Sequence, residues 1–553
     1  MPPRRKSADP LMLTDVSDAR SDYAMAKRSG AQTRLRRGVP SQGAGADYHY
    51  RNESDWLWMQ ELAWEIDRNH MCVGSVVRRA VENQIQDGFN YDPRTGDSVL
   101  DKELKAWWAE ESICPEKCSP DGESVFVDQE ETALLTTLVG GDCFGIPAED
   151  GTVDFLESQF CRTATRGQNK NIFHGVEMDP VTRRRVKYHF TNEPIGSLQT
   201  VLKSQLTPTP AYYFDDLTQR EERNVFHVKL LGRFRQTRGI TAFAPLFTPA
   251  DYLDDVEYLE MVHKRAASLF AFIRTRASNF DPKFLAAELP VGVDATAEKA
   301  RDQVEAAGNQ FRKVAPGAVL NGLPGETISM SSPNIPNSEH FRHMETLLTY
   351  IGINLGMPLI AVLMDGRQTN FSGWRGAWNM ALSGFRRNQR RLVTKFHCPY
   401  MRFKLLKRAE QEPAFRRVVI ASLRPKPKYN VFSHWWQPPS WPYIQPVEDA
   451  TADLIRDTSM QTSPRRRCQE RGMEWDEIVQ ETVEDRSTAI RAALTAAQAI
   501  NSEFTLDGAN EVTWRDLAPL PLPERVSVQL RPDQQQPEQT AADKQQPQPA
   551  NGK

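Results

Sequence analysis

Apolar side chains fall at helical spacing across residues 54–86, where Trp56, Trp58, Leu62, Trp64 and Ile66 are followed by Val73, Val76, Val77 and Val81. Such spacing gives a helix one apolar face, and Ser54, with Asp55 beside it, suits its N-cap. A shorter helical pattern covers 101–111, with Trp107 and Trp108 assigned to the core; another covers 128–139 and ends at Gly140–Gly141. β-favouring side chains then dominate at 153–160, 172–179, 184–190 and 224–232. The longest helical pattern, 249–277, would span ~43 Å at 1.5 Å per residue. Pro249 suits its first turn. Its start is acidic (Asp251, Asp254, Asp255, Glu257, Glu260) and its end basic (Lys264, Arg265, Arg274, Arg276), matching the helix dipole. Further helices are predicted at 295–313 and 338–355, the second capped by Ser338 and ended by Gly356 and Pro358. A long helix opens near Trp374, and strands are expected around 416–423. No internal repeat is present.

Composition bounds this picture. The 553 residues allow several domains and a large core. Residues 1–50 and 531–553 hold too little apolar surface to offset ordering entropy and are expected to be mobile arms. No apolar run approaches the ~18–20 residues of a membrane helix, and MPPRRKSADP has no secretory h-region. Seven scattered cysteines suit free thiols in a reducing compartment better than a disulfide framework.

Charge changes the picture at one place. Residues 366–408 carry eleven Arg and Lys and no acidic residue, although the chain is formally −3. Such a block calls for anionic neighbours, either a nucleic-acid backbone or acidic faces of other subunits. Arg386, Arg387, Arg390 and Arg391 fall two per helical turn and form a stripe. Three readings stay open for it: a solvated face, a contact with acidic neighbours such as 251–260, or direct DNA contact. The preceding loop, Arg367, Gln368, Thr369, Asn370, Phe371 and Ser372, is Gly-flanked and nearly uncharged, a surface able to slide past phosphates without gripping them.

Catalytic motifs are missing. There is no G-x-x-x-x-G-K-[ST], no H-E-x-x-H and no G-x-S-x-G. Cys114–Cys118 has no second pair to complete a zinc site. His340 and His343 share a helix face and read as a solvated or interface pair rather than metal ligands. Asp215–Asp216 and Asp254–Asp255 can be drawn as two-metal carboxylates, but no third carboxylate has motif spacing. The sequence thus indicates neither catalytic residues, nor a metal, nor a cofactor.

Several strings, in order, resemble elements of the lambda-type portal proteins of tailed bacteriophages. They are HGVEMDP…RRVKYHF, Gln236 with Arg238–Gly239, LPGE (323–326) with Pro333, Pro336 and Phe341, YIGINLGMPLIAVLMDGRQTNFSGWRGAWNMAL, Trp441–Val447 and the 462–494 segment. In the fifth, Gln445 stands where the family usually has Asp. The resemblance implies an α+β portal fold with wing, long stem helices, a small α/β clip, a helical crown and disordered termini. It divides the chain into an arm (1–50), wing (51–248 and 374–446), stem helices (249–278 and 338–356), clip (279–337), tunnel loop (357–373), crown (447–500) and a tail (501–553). It also implies a homo-oligomeric ring, typically of twelve copies, at one capsid vertex, with double-stranded DNA in its channel. Implied partners are the large terminase subunit, the major capsid protein and scaffold, and later head-completion and tail-connecting proteins, with no membrane. The location implied is the virion, after assembly in the host bacterial cytoplasm. The rivals are a metal-dependent nuclease and a structural head protein outside the channel.

Overall fold

The computed structural model describes residues 45–165, 171–230, 232–269, 273–276, 326–329, 338–365, 371–425, 427–441, 446–470, 473, 475–504 and 512–517. The expected arms, apart from 45–50, the helix at 295–313 and loop residues Arg367, Gln368, Thr369 and Asn370 lie outside the described residues. Among the described residues no helix is long and apolar enough to cross a membrane. The chain divides into two compact units, residues 1–436 and 437–553.

The first unit opens with two helices, α1 (Glu53–Asn69) and α2 (Val73–Ile85), where one continuous pattern was expected. His70 breaks the run: its backbone is extended, and its Nδ1 accepts from the Cys72 and Val73 N–H groups. Asn52, not Ser54, caps α1; the Ser54 hydroxyl instead donates to the Ser197 carbonyl. Strand β1 (Asn90–Pro93), helix α3 (Ser98–Ser112, capped by Asp97), the short α4 (Pro115–Cys118) and α5 (Phe126–Val139) follow.

Next comes the sheet region. β2 (Asp142–Pro147) lies between β3 (Val153–Glu157) and β10 (Phe226–Lys229), antiparallel to both, with Phe144 opposite Leu156 and His227. A second sheet runs β4 (Ile172–Phe173), β5 (Val176–Met178), β6 (Arg185–Thr191), β7 (Leu206–Pro210), and a hairpin joins β8 (Tyr212–Asp215) to β9 (Arg220–Arg223). The four strand regions predicted between 153 and 232 are thus present.

Helix α6 covers Phe247–Leu269, and the chain then turns to strand β11 (Ile273–Arg276), which pairs with β12 (Glu326–Ser329). The expected helix over 249–277 therefore ends early, because IRTR is β-branched at alternate positions and finds a partner strand. α7 (Ser338–Leu355) packs on α6 and α2 and ends at Gly356, whose φ of +73° suits glycine. A short α8 (Leu359–Leu363) precedes α9 (Phe371–Leu392), so Phe371 and Ser372 belong to a helix rather than to a loop. A π turn at Val393–His397 links α9 to α10 (Cys398–Gln411). The strands expected around 416–423 are instead helix α11 (Pro413–Ser422): Pro413 opens it, and Phe415, Val419 and Ser422 bury one helical face. β13 (His434–Gln437) pairs with β1. One core cluster joins α1, α2, α5, α6, α7 and α10, with Trp56, Phe126, Phe396, Tyr400 and Trp436 among its fully buried rings.

The second unit contains α12 (Pro446–Thr458), α13 (Pro464–Glu470), α14 (Trp475–Phe504) and α15 (Trp514–Leu517). Ion pairs Arg467–Asp457 and Arg465–Asp476 tie its turns, and Asn501 brackets Val512 with two hydrogen bonds.

Candidate nucleic-acid and subunit interface

The basic run divides by partner. On α9, Ala381, Phe385, Gln389 and Leu392 are buried at helical spacing, and the Gln389 amide donates to the Gln84 carbonyl of α2 at 2.9 Å. That orientation leaves Arg386, Arg387 and Arg390 exposed. Arg391 is only half-buried beside Leu134 and Val228, and burial, helped by Arg387, lowers its proton affinity. The stripe is therefore three exposed arginines and one wedged against the core. Beyond the π turn the cations meet acids of the same unit. Arg402 binds Glu222 through two bonds of 2.6 and 2.5 Å, Lys404 reaches Glu111 at 3.1 Å, and Arg408 reaches Glu103 and Glu412. A cleft of about 350 Å³ opens beside this Arg402–Glu222 pair, between the β8–β9 hairpin and α10.

The π turn itself sits at a buried acid–base pair. The His397 Nε2 meets the Glu130 carboxyl, and the ring packs on Phe89 at 4.4 Å and Trp436 at 4.8 Å. Burial raises the Glu130 proton affinity, against the pull of His397.

The segment before the loop is held from α2. Arg79 donates to the Val362 carbonyl at 2.7 Å and to the Ala361 carbonyl at 3.4 Å, the last turn of α8. Met364 then adopts a left-handed φ of +54°. Gly352 of α7 lies against the Met357 carbonyl, where a Cβ would sit at 2.6 Å.

The Arg238–Gly239 pair, noted in the sequence only as part of an ordered motif, is a heavily bonded point of the first unit. The Arg238 guanidinium is fully buried between the Trp56 and Phe144 rings. It forks onto Asp142 at 2.8 and 3.0 Å and donates to the carbonyls of Ser158, Cys161 and His174. Burial alone would raise the Asp142 carboxyl, but Arg238 and the His227 bond hold it well below the usual carboxylate range. Burial opposes the Arg238 charge, and Asp142 outweighs it upward. Burial pushes His174 down to about 3, and drives His227 and Lys229 well below their ordinary values. Gly239 admits no side chain: a Cβ would lie 1.9 Å from the Gly141 carbonyl oxygen, and Gly141 itself has φ +95°. Asp47 completes the lock, accepting from the Thr237 N–H and hydroxyl and from Tyr50. Burial and partner identity give this cluster its structural role, and neither is visible in a lone R-G pair.

The paired aspartates are not brought into a metal site. Asp215 accepts the Thr218 N–H at the β8–β9 turn, while Asp254 on α6 lies 3.5 Å from His70. Cys118 is buried and Cys114 opens α4. Among the described residues no group of three or more His, Cys, Asp or Glu is placed to hold a metal ion.

Residues 32–389 match the family described as phage portal protein, lambda family. That span exceeds half of the chain, and the chain belongs to this family. No curated protein matches it. Among solved structures it is similar to a chain from the neck of an empty GTA particle computed with C6 symmetry, at 11% identity and a TM-score of 0.35, covering 72% of this chain and 87% of that one. It is also similar to a chain from the neck of a native GTA particle computed with C12 symmetry, at 11% identity and a TM-score of 0.31, covering 67% and 88%. A third match, in the virion of a native gene transfer agent particle, has 12% identity and a TM-score of 0.29, covering 55% and 74%.

Proposed function

We propose that the protein is the subunit of a closed ring, of about a dozen copies, that forms the DNA channel at one capsid vertex. The observation that carries this reading is the lambda-family portal match over residues 32–389. Within the ring, α6 and α7 serve as stem helices, the chain between them as clip, the earlier α/β part with α9–α11 as wing, and α12–α14 as crown. Residues Arg367, Gln368, Thr369, Asn370, Phe371 and Ser372 line the narrowest part of the channel. The exposed Arg386, Arg387 and Arg390, with Arg391 beside them, face an acidic surface of the neighbouring copy. Terminase docks on the ring during packaging, and head-completion and tail-connecting proteins replace it.

The test is direct. Negative-stain class averages of the purified chain should show rings with a central hole. A strictly monomeric or dimeric species at high concentration sinks the reading, and metal-dependent DNA cleavage by the same preparation favours a nuclease instead.

A further inference from the structure

The loop between β10 and the Arg238 lock carries the most exposed large apolar side chain of the described residues. Phe234 is 98% exposed, and Arg233 and Arg235 on either side of it are exposed as well. An aromatic ring held in water between two cations is costly unless a partner covers it. This loop is also built rather than slack. The Gln236 side chain accepts from the Gly232 and Arg233 N–H groups and donates to the Arg238 carbonyl. The buried Lys229 ammonium donates to the Gln236 and Thr237 carbonyls at 2.5 and 2.6 Å. Arg235 holds a left-handed φ of +60°, a conformation unfavourable for a side chain of its size. The tip is thus a preorganised Arg-Phe-Arg knob on a rigid base.

A matching surface exists on the same unit. Helix α6 is apolar on two opposite faces. Ala250 and Leu253, with Leu246 just before the helix, are buried in the core. On the far side Tyr252, Tyr258, Leu259 and Val262 are 43%, 69%, 61% and 41% exposed. The helical period of 100° per residue puts these four on one stripe with the exposed Asp255, with Asp251 among them and Asp254 at the edge. An apolar stripe carrying carboxylates complements an aromatic knob flanked by guanidinium groups, in both hydrophobicity and sign.

We infer that the Arg233–Phe234–Arg235 knob of one copy seats on the Tyr252–Val262 face of α6 in the next copy. The two surfaces differ, so the contact is head-to-tail, the kind that closes into a ring when its rotation allows. The inference rests on the ring reading and adds to it a named contact. Phe234 supplies the anchor, as buried aromatic residues do at interfaces, and the loop's rigidity spares most of the ordering cost of binding.

Arg233, Phe234, Arg235, Asp255 and Tyr258 are exposed in a single subunit, so substitutions at these positions leave folding intact. Phe234→Ala and Tyr258→Ala should each raise the concentration for half-maximal ring assembly by about tenfold or more, the size of an anchor-residue loss. Arg233→Glu with Arg235→Glu should do the same, and Asp255→Arg in the same chain should restore part of it. In a trans experiment, a Phe234→Cys chain mixed with a Tyr258→Cys chain and oxidised should give a cross-linked dimer. Neither variant alone, nor the unaltered chain with its seven native cysteines, should give that product. Rings that persist undiminished in the alanine variants, with no cross-link in the mixture, overturn the knob contact and leave the ring reading standing. Absence of rings from the unaltered chain overturns both. Normal rings from Phe234→Ala that lose DNA would assign the knob to nucleic acid and overturn the subunit contact.

Discussion

Replacing Arg238 by methionine keeps the side-chain length and removes the charge. Asp142 is then left buried with His227 and the Gly239 N–H alone. Breaking a buried pair by removing one partner costs about 3–5 kcal/mol, because the orphaned charge stays desolvated. The pH dependence carries a sign. In the native protein Asp142 titrates below its unfolded value, so its stabilisation is complete above about pH 4 and is lost only as pH falls through the lower, folded value. In Arg238→Met burial is the dominant influence left on that carboxyl and moves it above its unfolded value. The variant's deficit should therefore be larger at pH 8 than at pH 5, and protonation of His227 works in the same direction. Urea unfolding of the full chain at both pH values checks this; an equal deficit at both would refute the pairing energetics. The sequence held the R-G pair, and its place in an ordered motif was legible. Its burial was not, because Asp142 lies 96 residues away in sequence and the two meet only when β2 and β10 pair.

At the scale of elements, hydrophobic period identified α7 and the strand regions between 153 and 232, and it located α3 and α5, whereas the 30-residue α14 was legible only through the resemblance. Three misreadings have physical causes. His70 satisfies N–H groups at the start of α2 and so splits one pattern into two helices. The 273–276 segment leaves the helix for a strand partner about fifty residues away, which no local window contains. The 416–423 segment is rich in β-branched residues but is ruled by a proline-opened helix packed through Phe415 and Val419. The basic run teaches the same lesson: charge sum was legible, whereas the internal partners of Arg402, Lys404 and Arg408 were not. The expected consequence concerns α9. Arg387→Glu with Arg390→Glu changes exposed positions only, so the subunit should fold normally. If these residues face acidic neighbours, the variant's rings should dissociate at lower protein dilution than native rings in low salt. Raising salt past about 0.5 M should weaken native rings in the same way, since the screening length falls well under 10 Å. Ring stability indifferent to both changes would reassign the stripe to solvent or DNA.

For the whole molecule, the proposed channel role places the heaviest demand on the loop after Met364. A surface that passes moving DNA should hold it weakly, because each firm phosphate contact adds affinity and slows sliding. Gln368→Lys with Thr369→Lys and Asn370→Lys should leave ring assembly normal and reduce DNA per particle, or its retention, in a packaging or complementation assay. Unchanged packaging and retention would remove the loop from the channel. The flanks of this loop have a mechanical consequence. α8 before it is fastened by Arg79, and α9 after it is fastened by Gln84, both on α2. The two fastenings are five residues apart, about 7.5 Å along one helix axis. A pull on the loop from either side is therefore passed in part to the same helix, wedged in the core, and loads it in shear along its own length. Drag from a moving polymer would meet one helix from both sides of the loop, as it does in a bracket bolted twice to the same beam.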